Sequence, residues 1–369
     1  ATGCAVFGFL AHGVFNPIAF AEEALLWMCL ALASALVAMR QSRAGKLDPC
    51  TAGGAVPPAG GTRKLLACLM VVGAMVGGVF SARNPLLAER AIWQATVMSA
   101  TANPEAVFMF SRATELQQRE ATYWGALGGY AHSIALAAEG EARVTVLDLS
   151  LIALREARAN EPLFYFWHYQ LGDALLYAAS STGQVAVGDA VESYERALEL
   201  SPRNAVLANR LAVAYMVGEE WGQAALTLQE AAAFDPLWSE TLHLKAAFSA
   251  LNGDGTVASQ ALVSMVRLKP SELYIFARTV ASRLLAYGLV EPMAASMLPA
   301  LKTDGDEWAA LSVRGVLMSL IGDADAAATL LTAAASSAPE DAVESVRSTA
   351  SYLSSFVPGL HDALLRSPR

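Results

Sequence analysis

The residues that could do chemistry are few and scattered. The histidines His12, His132, His168, His243 and His361 stand far apart, and none pairs with a second ligand at metal-binding spacing. Asp304, Asp306 and Glu307 form an acidic cluster, but a calcium loop needs more oxygen ligands in a fixed order, so a solvated surface is the reading. No GxSxG, P-loop or GxGxxG occurs. The cysteines are Cys4, Cys29, Cys50 and Cys68, without a CxxC; Cys29 and Cys68 sit in apolar runs as small core residues. No catalytic residue, cofactor site or metal site is therefore expected. The densest aromatic run, Leu163-Phe164-Tyr165-Phe166-Trp167-His168-Tyr169, reads as packing within and between helices, with a binding patch or a belt at a membrane surface as the alternative.

What positions these residues is a repeat. In Ala205 to Pro236, counted from Ala205, Leu211 falls at position 7, Ala212 at 8, Tyr215 at 11, Ala224 at 20, Leu228 at 24, Ala231 at 27 and Pro236 at 32. Leu211, Ala212 and Tyr215 share one face of a first helix, and Ala224, Leu228 and Ala231 one face of a second. This pattern resembles the tetratricopeptide (TPR) repeat, with Ala208 in place of the usual tryptophan. Pro202, Pro236 and Pro270 are 34 residues apart, and two further steps of that size predict a proline near 338, where Pro339 stands. Trp124, Leu127 and Gly128 carry the W-x2-L-G signature of an earlier unit that closes at Pro162. His168, Leu171 and Gly172 open the unit that closes at Pro202. Residues 273–304 fit the register poorly, and Pro292 and Pro299 disturb a second helix there.

First-helix positions 2, 5, 9 and 12 of a TPR unit line its concave face. Here they include Tyr169, Asp173, Asn209, Val213, Met216, Glu240 and His243, the candidate protein-binding residues. They contain no basic clamp of the kind that seizes a peptide carboxylate.

Composition adds a second expectation. Hydrophobic residues make up 55% of the 369, charged residues only 16%, and mean hydropathy is +0.39, which points to membrane segments. Residues 1–82 read as a membrane anchor: an apolar stretch 1–15, a span at about 18–39, a basic loop 40–64 and a second span at about 65–82. Residues 1–15 would be the tail of a further span. The loop carries Arg40, Arg43, Lys46, Arg63 and Lys64, so it would face the cytoplasm of a bacterial inner membrane and the repeats the periplasm or exterior. Residues 83–345 are then the repeat domain and 346–369 a capping helix and tail. The fold class expected is all-α: two transmembrane helices followed by a TPR-like α-solenoid. Net charge is −9 overall; 1–80 holds five basic and three acidic residues, which leaves 20 basic and 31 acidic for the remainder. So acidic a domain would repel nucleic acid.

Ala1-Thr2-Gly3-Cys4 faintly resembles a lipoprotein processing site, but no signal peptide precedes it. The missing initial methionine suggests a processed product or the carboxyl-terminal part of a longer chain. Residues 8–39, GFLAHGVFNPIAFAEEALLWMCLALASALVAM, resemble the end of the O-antigen ligase and polymerase family, through His12, the Phe15-Asn16-Pro17 break and the Trp27 helix. That resemblance implies lipid-linked glycan transfer, with catalytic residues in an outer loop that this sequence lacks. The expected function is a membrane-anchored extracytoplasmic scaffold whose partners are other membrane or envelope proteins, with the bilayer reached through 18–39 and 65–82. The alternative is the non-catalytic end of a glycan ligase or polymerase.

Overall fold

A computed structural model describes residues 73, 83–101, 103–182, 187–301 and 307–366. Among them the chain is helical, with no strand. It divides into two compact units, Ala1–Tyr123 and Trp124–Arg369.

In the first unit, residues 83–99 are helical and α1 (Ala106–Leu116) follows. Ala88, Ala91, Ala113 and Tyr123 bury one another, and the Tyr123 hydroxyl donates to Glu89 Oε1 at 2.6 Å. α2 (Ala121–Ala137) follows in sequence.

The second unit is built of helical hairpins. α2 pairs with α3 (Gly140–Asn160), α4 (Tyr165–Thr182) with α5 (Val187–Leu200), α6 (Ala205–Val217) with α7 (Trp221–Phe234), and α8 (Ser239–Leu251) with α9 (Gly255–Leu268). α10 (Glu272–Arg283), a 3-10 turn (Leu285–Tyr287) and α11 (Val290–Met297) interrupt the series. α12 (Trp308–Leu320) and α13 (Ala324–Ser337) restore it, and α14 (Glu340–Ser354) and α15 (Leu360–Arg366) cover its end.

The second helices end at Asn160, Leu200, Phe234, Leu268 and Ser337, each two residues before Pro162, Pro202, Pro236, Pro270 or Pro339. The cause is local. The residue before a proline is pushed out of the α region, so the helix stops one residue earlier. Asn204 caps α6, its side chain accepting from the Val206 and Leu207 N–H groups, and Asp323 caps α13 by accepting from Ala326 N–H. In α11, Pro292 lies in the first turn, where its missing N–H would have had no helical partner.

Each hairpin closes on a small residue of its first helix facing a large one of its second. A Cβ at Gly128 would meet Leu154 at 2.6 Å, one at Gly172 would meet Tyr194 at 2.8 Å, and one at Gly315 would meet Leu331 at 2.8 Å. Ala212 and Ala246 take this place in the hairpins whose second helices supply Leu228 and Leu262, and all four are buried. In the first hairpin Ser150 stands where the others have alanine, and its hydroxyl donates to the Gly128 carbonyl at 2.8 Å, so the close approach also satisfies a buried polar group.

The expected fold class needs correction in its membrane part. No helix of the described residues is long and apolar enough to cross a membrane. α6, among the most apolar, has 13 residues, or about 20 Å of helix against the ~30 Å of a bilayer core. In the repeats the high hydropathy comes from alanines and leucines buried between helices, not from spans. The segments read as spans, 18–39 and 65–82, lie outside the described residues except Gly73, as does the loop 40–64. The placement in a bacterial inner membrane rested on those spans and does not stand.

Ala212→Leu should overpack the α6–α7 contact and lower unfolding free energy by about 1–3 kcal/mol. Denaturant melts of the two chains compare it directly, and an unchanged midpoint would mean that Ala212 faces elsewhere.

Candidate functional site

The first helices α4, α6 and α8, followed by α10, are joined along one face by a ladder of polar contacts. Asp173 on α4 meets Arg210 on α6 at 3.4 Å and accepts a hydrogen bond of 2.5 Å from Tyr194, a fully buried residue on α5. Arg210 also donates to the Tyr169 hydroxyl at 3.3 Å, with its guanidinium carbon 5.7 Å from that ring's centre, a cation–π distance. One rung on, Thr241 of α8 donates to Asn209 Oδ1 at 3.1 Å. Beyond that, Arg283 at the end of α10 donates to Glu240 at 2.7 Å. His243 Nε2 lies 3.4 Å from Glu272 at the start of α10, and Glu272 also accepts from Lys269 at 2.7 Å and from Ser239 at 3.1 Å.

The concave-face candidates lie in unlike environments. Tyr169, Asp173 and Glu240 are partly exposed, whereas Asn209, Val213, Met216 and His243 are buried. Val213 and Met216 belong to the hydrophobic core. Arg210, Tyr194, Glu272 and Arg283 complete the ladder and were not among the candidates. Arg210 alone left a trace in the sequence: it is the one charge in Ala205–Val217.

Burial dominates the electrostatics. It pushes the Tyr194 phenol well above its usual value, with Asp173 adding to the shift, so the hydroxyl stays a donor. For Arg210 burial works to lower the pKa, but Asp173 and the nearby tyrosines more than offset it, and the guanidinium stays charged. Burial lowers His243 to about 4 against the opposing pull of Glu272 and Glu240, so at neutral pH the imidazole is uncharged and its contact with Glu272 is not an ion pair. Several buried polar atoms have no hydrogen-bond partner among the described residues: Gln170 Oε1, Asn209 Nδ2, Arg210 Nε and both His243 nitrogens.

The aromatic run divides. Trp167 is buried, with its indole N–H donating to Glu161 at 3.0 Å, and His168 Nε2 contacts the Pro162 carbonyl at 2.9 Å. Leu163 and Phe164 are instead 75% and 45% exposed, and the turn before α8 likewise exposes Leu237 at 87% and Trp238 at 40%. Among the described residues no group of three His, Cys, Asp or Glu is placed to hold a metal ion.

No family model matches this chain, and no curated protein does. Solved structures similar to it include a tetratricopeptide repeat protein from Parabacteroides merdae ATCC 43184, at 12% identity and a TM-score of 0.42, over 71% of this chain and 98% of that one. Another is Naa15/Naa10 bound to HypK-THB, at 14% identity and a TM-score of 0.33, over 76% of this chain and 43% of that one. Among the described residues the chain is helical, with TPR-like helical repeats; that statement stands on its own hairpins and prolines. The O-antigen ligase and polymerase resemblance lies on residues outside those described, and no comparison supports it.

His243 gives the fold a pH dependence of known sign. Its folded pKa, about 4, lies below the unfolded value near 6.5, so the unfolded chain takes up the proton first. Stability is full above pH 6.5 and is lost as pH falls toward 4, by up to about 3 kcal/mol from this residue. Melts of wild type and His243→Gln between pH 7 and 4 should show a shallower decline in the variant. Equal slopes would mean that His243 is solvated in the folded chain.

Proposed function

We propose that this chain is a helical-repeat scaffold for protein–protein interaction, acting through surface complementarity. The observation that carries the reading is an edge of the repeat array. The turns before the first helices α4 and α8 expose Leu163, Phe164, Leu237 and Trp238, each following a proline that ended the previous hairpin. Aromatic side chains such as Phe164 and Trp238 at such turns are of the residue types enriched in protein interfaces, and Leu163 and Leu237 extend the apolar surface beside them. Helix starts of one phase share an edge of a stacked array, so these side chains present to one partner. Beside them the inner face offers Tyr169, Asp173 and Glu240 as partly exposed polar contacts. Asn209, Val213, Met216 and His243 act from behind, holding the helices that present those groups.

The test uses the full chain, tagged, with cross-linked partners identified by mass spectrometry. Leu237→Asp with Trp238→Asp should remove a partner that wild type retains, while the melting temperature moves little because both side chains are exposed. Truncating two central interface anchors costs about 2 kcal/mol or more each, enough to empty the capture. Retention of every wild-type partner by the double variant would exclude this edge as the interaction surface.

A further inference from the structure

In a regular helical-repeat array each hairpin touches only its neighbours. The Leu285–Tyr287 turn breaks that rule. It follows α10, yet it packs on α4, reaching past α8 and α6. Leu285, Ala286 and Gly288 are exposed, while Tyr287 is largely buried against the core. The turn ends at Gly288, whose φ of +70° suits glycine and strains any other residue.

Tyr287 packs on the core beside α4, within electrostatic reach of Asp173, Arg210, Arg283 and Tyr169 at the start of the polar ladder. The fit is incomplete in its hydrogen bonds. Tyr287 makes none among the described residues, and Asn209 Nδ2 and Arg210 Nε on α6 lack partners. A polar segment reaching this face would therefore gain hydrogen bonds that the present occupant does not make.

We infer that the Leu285–Tyr287 turn is a plug held in cis: Tyr287 fills a socket on α4, and a partner segment carrying an aromatic side chain must displace it to bind there. The inference rests on the reading of the inner face as a recognition surface and adds its regulation. The design is autoinhibitory, because the occupied socket lowers the apparent affinity for any competitor in proportion to its occupancy. Only a short turn has to move. α10 and α11, on either side, keep Phe276, Val280, Val290 and Met293 in the core.

The experiment uses a fluorescent peptide of residues 283–291 as the probe and the full chain as receptor. Two variants release the plug differently. Tyr287→Ala removes the occupant, and Gly288→Ala strains the turn while its new Cβ meets no atom within 4 Å. Fluorescence anisotropy should show the peptide binding both variants at least about tenfold more tightly than wild type. The same peptide with its tyrosine changed to alanine should bind neither. Equal affinity for wild type and variants, or no binding to any, overturns the plug. Hydrogen exchange on wild type tests it without a variant. The amides of 284–289 should exchange faster than those of α10, and exchange at the rate of α10 overturns it. Neither measurement needs the natural partner, so the plug can fail while loss of capture on changing Leu237 and Trp238 still supports the scaffold.

Discussion

The constraint on which the described structure depends is the close approach of two helices within each hairpin. Position 8 of the first helix must be glycine or alanine because position 24 of the second brings a leucine or tyrosine against its backbone. Tyr194 against Gly172 brings the largest side chain: the ring is fully buried and its nearest carbon lies 2.8 Å from where a Cβ would be. Such contact buries large apolar area without long side chains on the first helix. It also explains why the composition is so rich in alanine, and why the chain resembles a membrane protein in hydropathy while none of its described helices is long and apolar enough to cross a membrane.

That packing has a consequence for polar groups. Helices held this close leave the inner faces of α4, α6, α8 and α10 near enough for side chains to bridge them, and the bridging residues are mostly polar. Asp173–Arg210, Asn209–Thr241 and Glu240–Arg283 each join one first helix to the next. A buried ion pair is weak evidence for stability, since desolvation offsets much of the Coulomb attraction. Its better-supported effect is on register: Arg210 satisfies Tyr169 and Asp173 together only at one rotation of α6 against α4. The ladder and the apolar edge are thus two products of one stacking geometry. One is turned inward and largely covered, and the other stands at the turns.

The repeat was legible in the sequence because its determinants are local. Pro162, Pro202, Pro236, Pro270 and Pro339 act on the residues just before them, and the 8–20–24–27 positions are set by helical periodicity. Less of the candidate site could be read. Position numbers put Tyr169, Asn209 and His243 on one face, but the partner of each sits on another helix and is set by rotation and tilt. Arg210 was visible only as an isolated charge, and nothing local pointed to Glu272 and Arg283 on α10 as the counterparts of His243 and Glu240.

By itself the sequence determined the helical hairpins, their phase, and the prolines that end them, because backbone sterics and 3.6-residue periodicity operate within a few residues. The tertiary structure decided two further things. The first was burial: Asn209 and His243 occupy groove positions by count, yet neighbouring helices enclose them. The second was the course of residues 284–289, where the repeat pattern lapses. Without that pattern no local rule dictates a neighbour, and the destination is chosen by which distant surface can accept Tyr287. That surface, on α4, is brought near only after the hairpins have stacked.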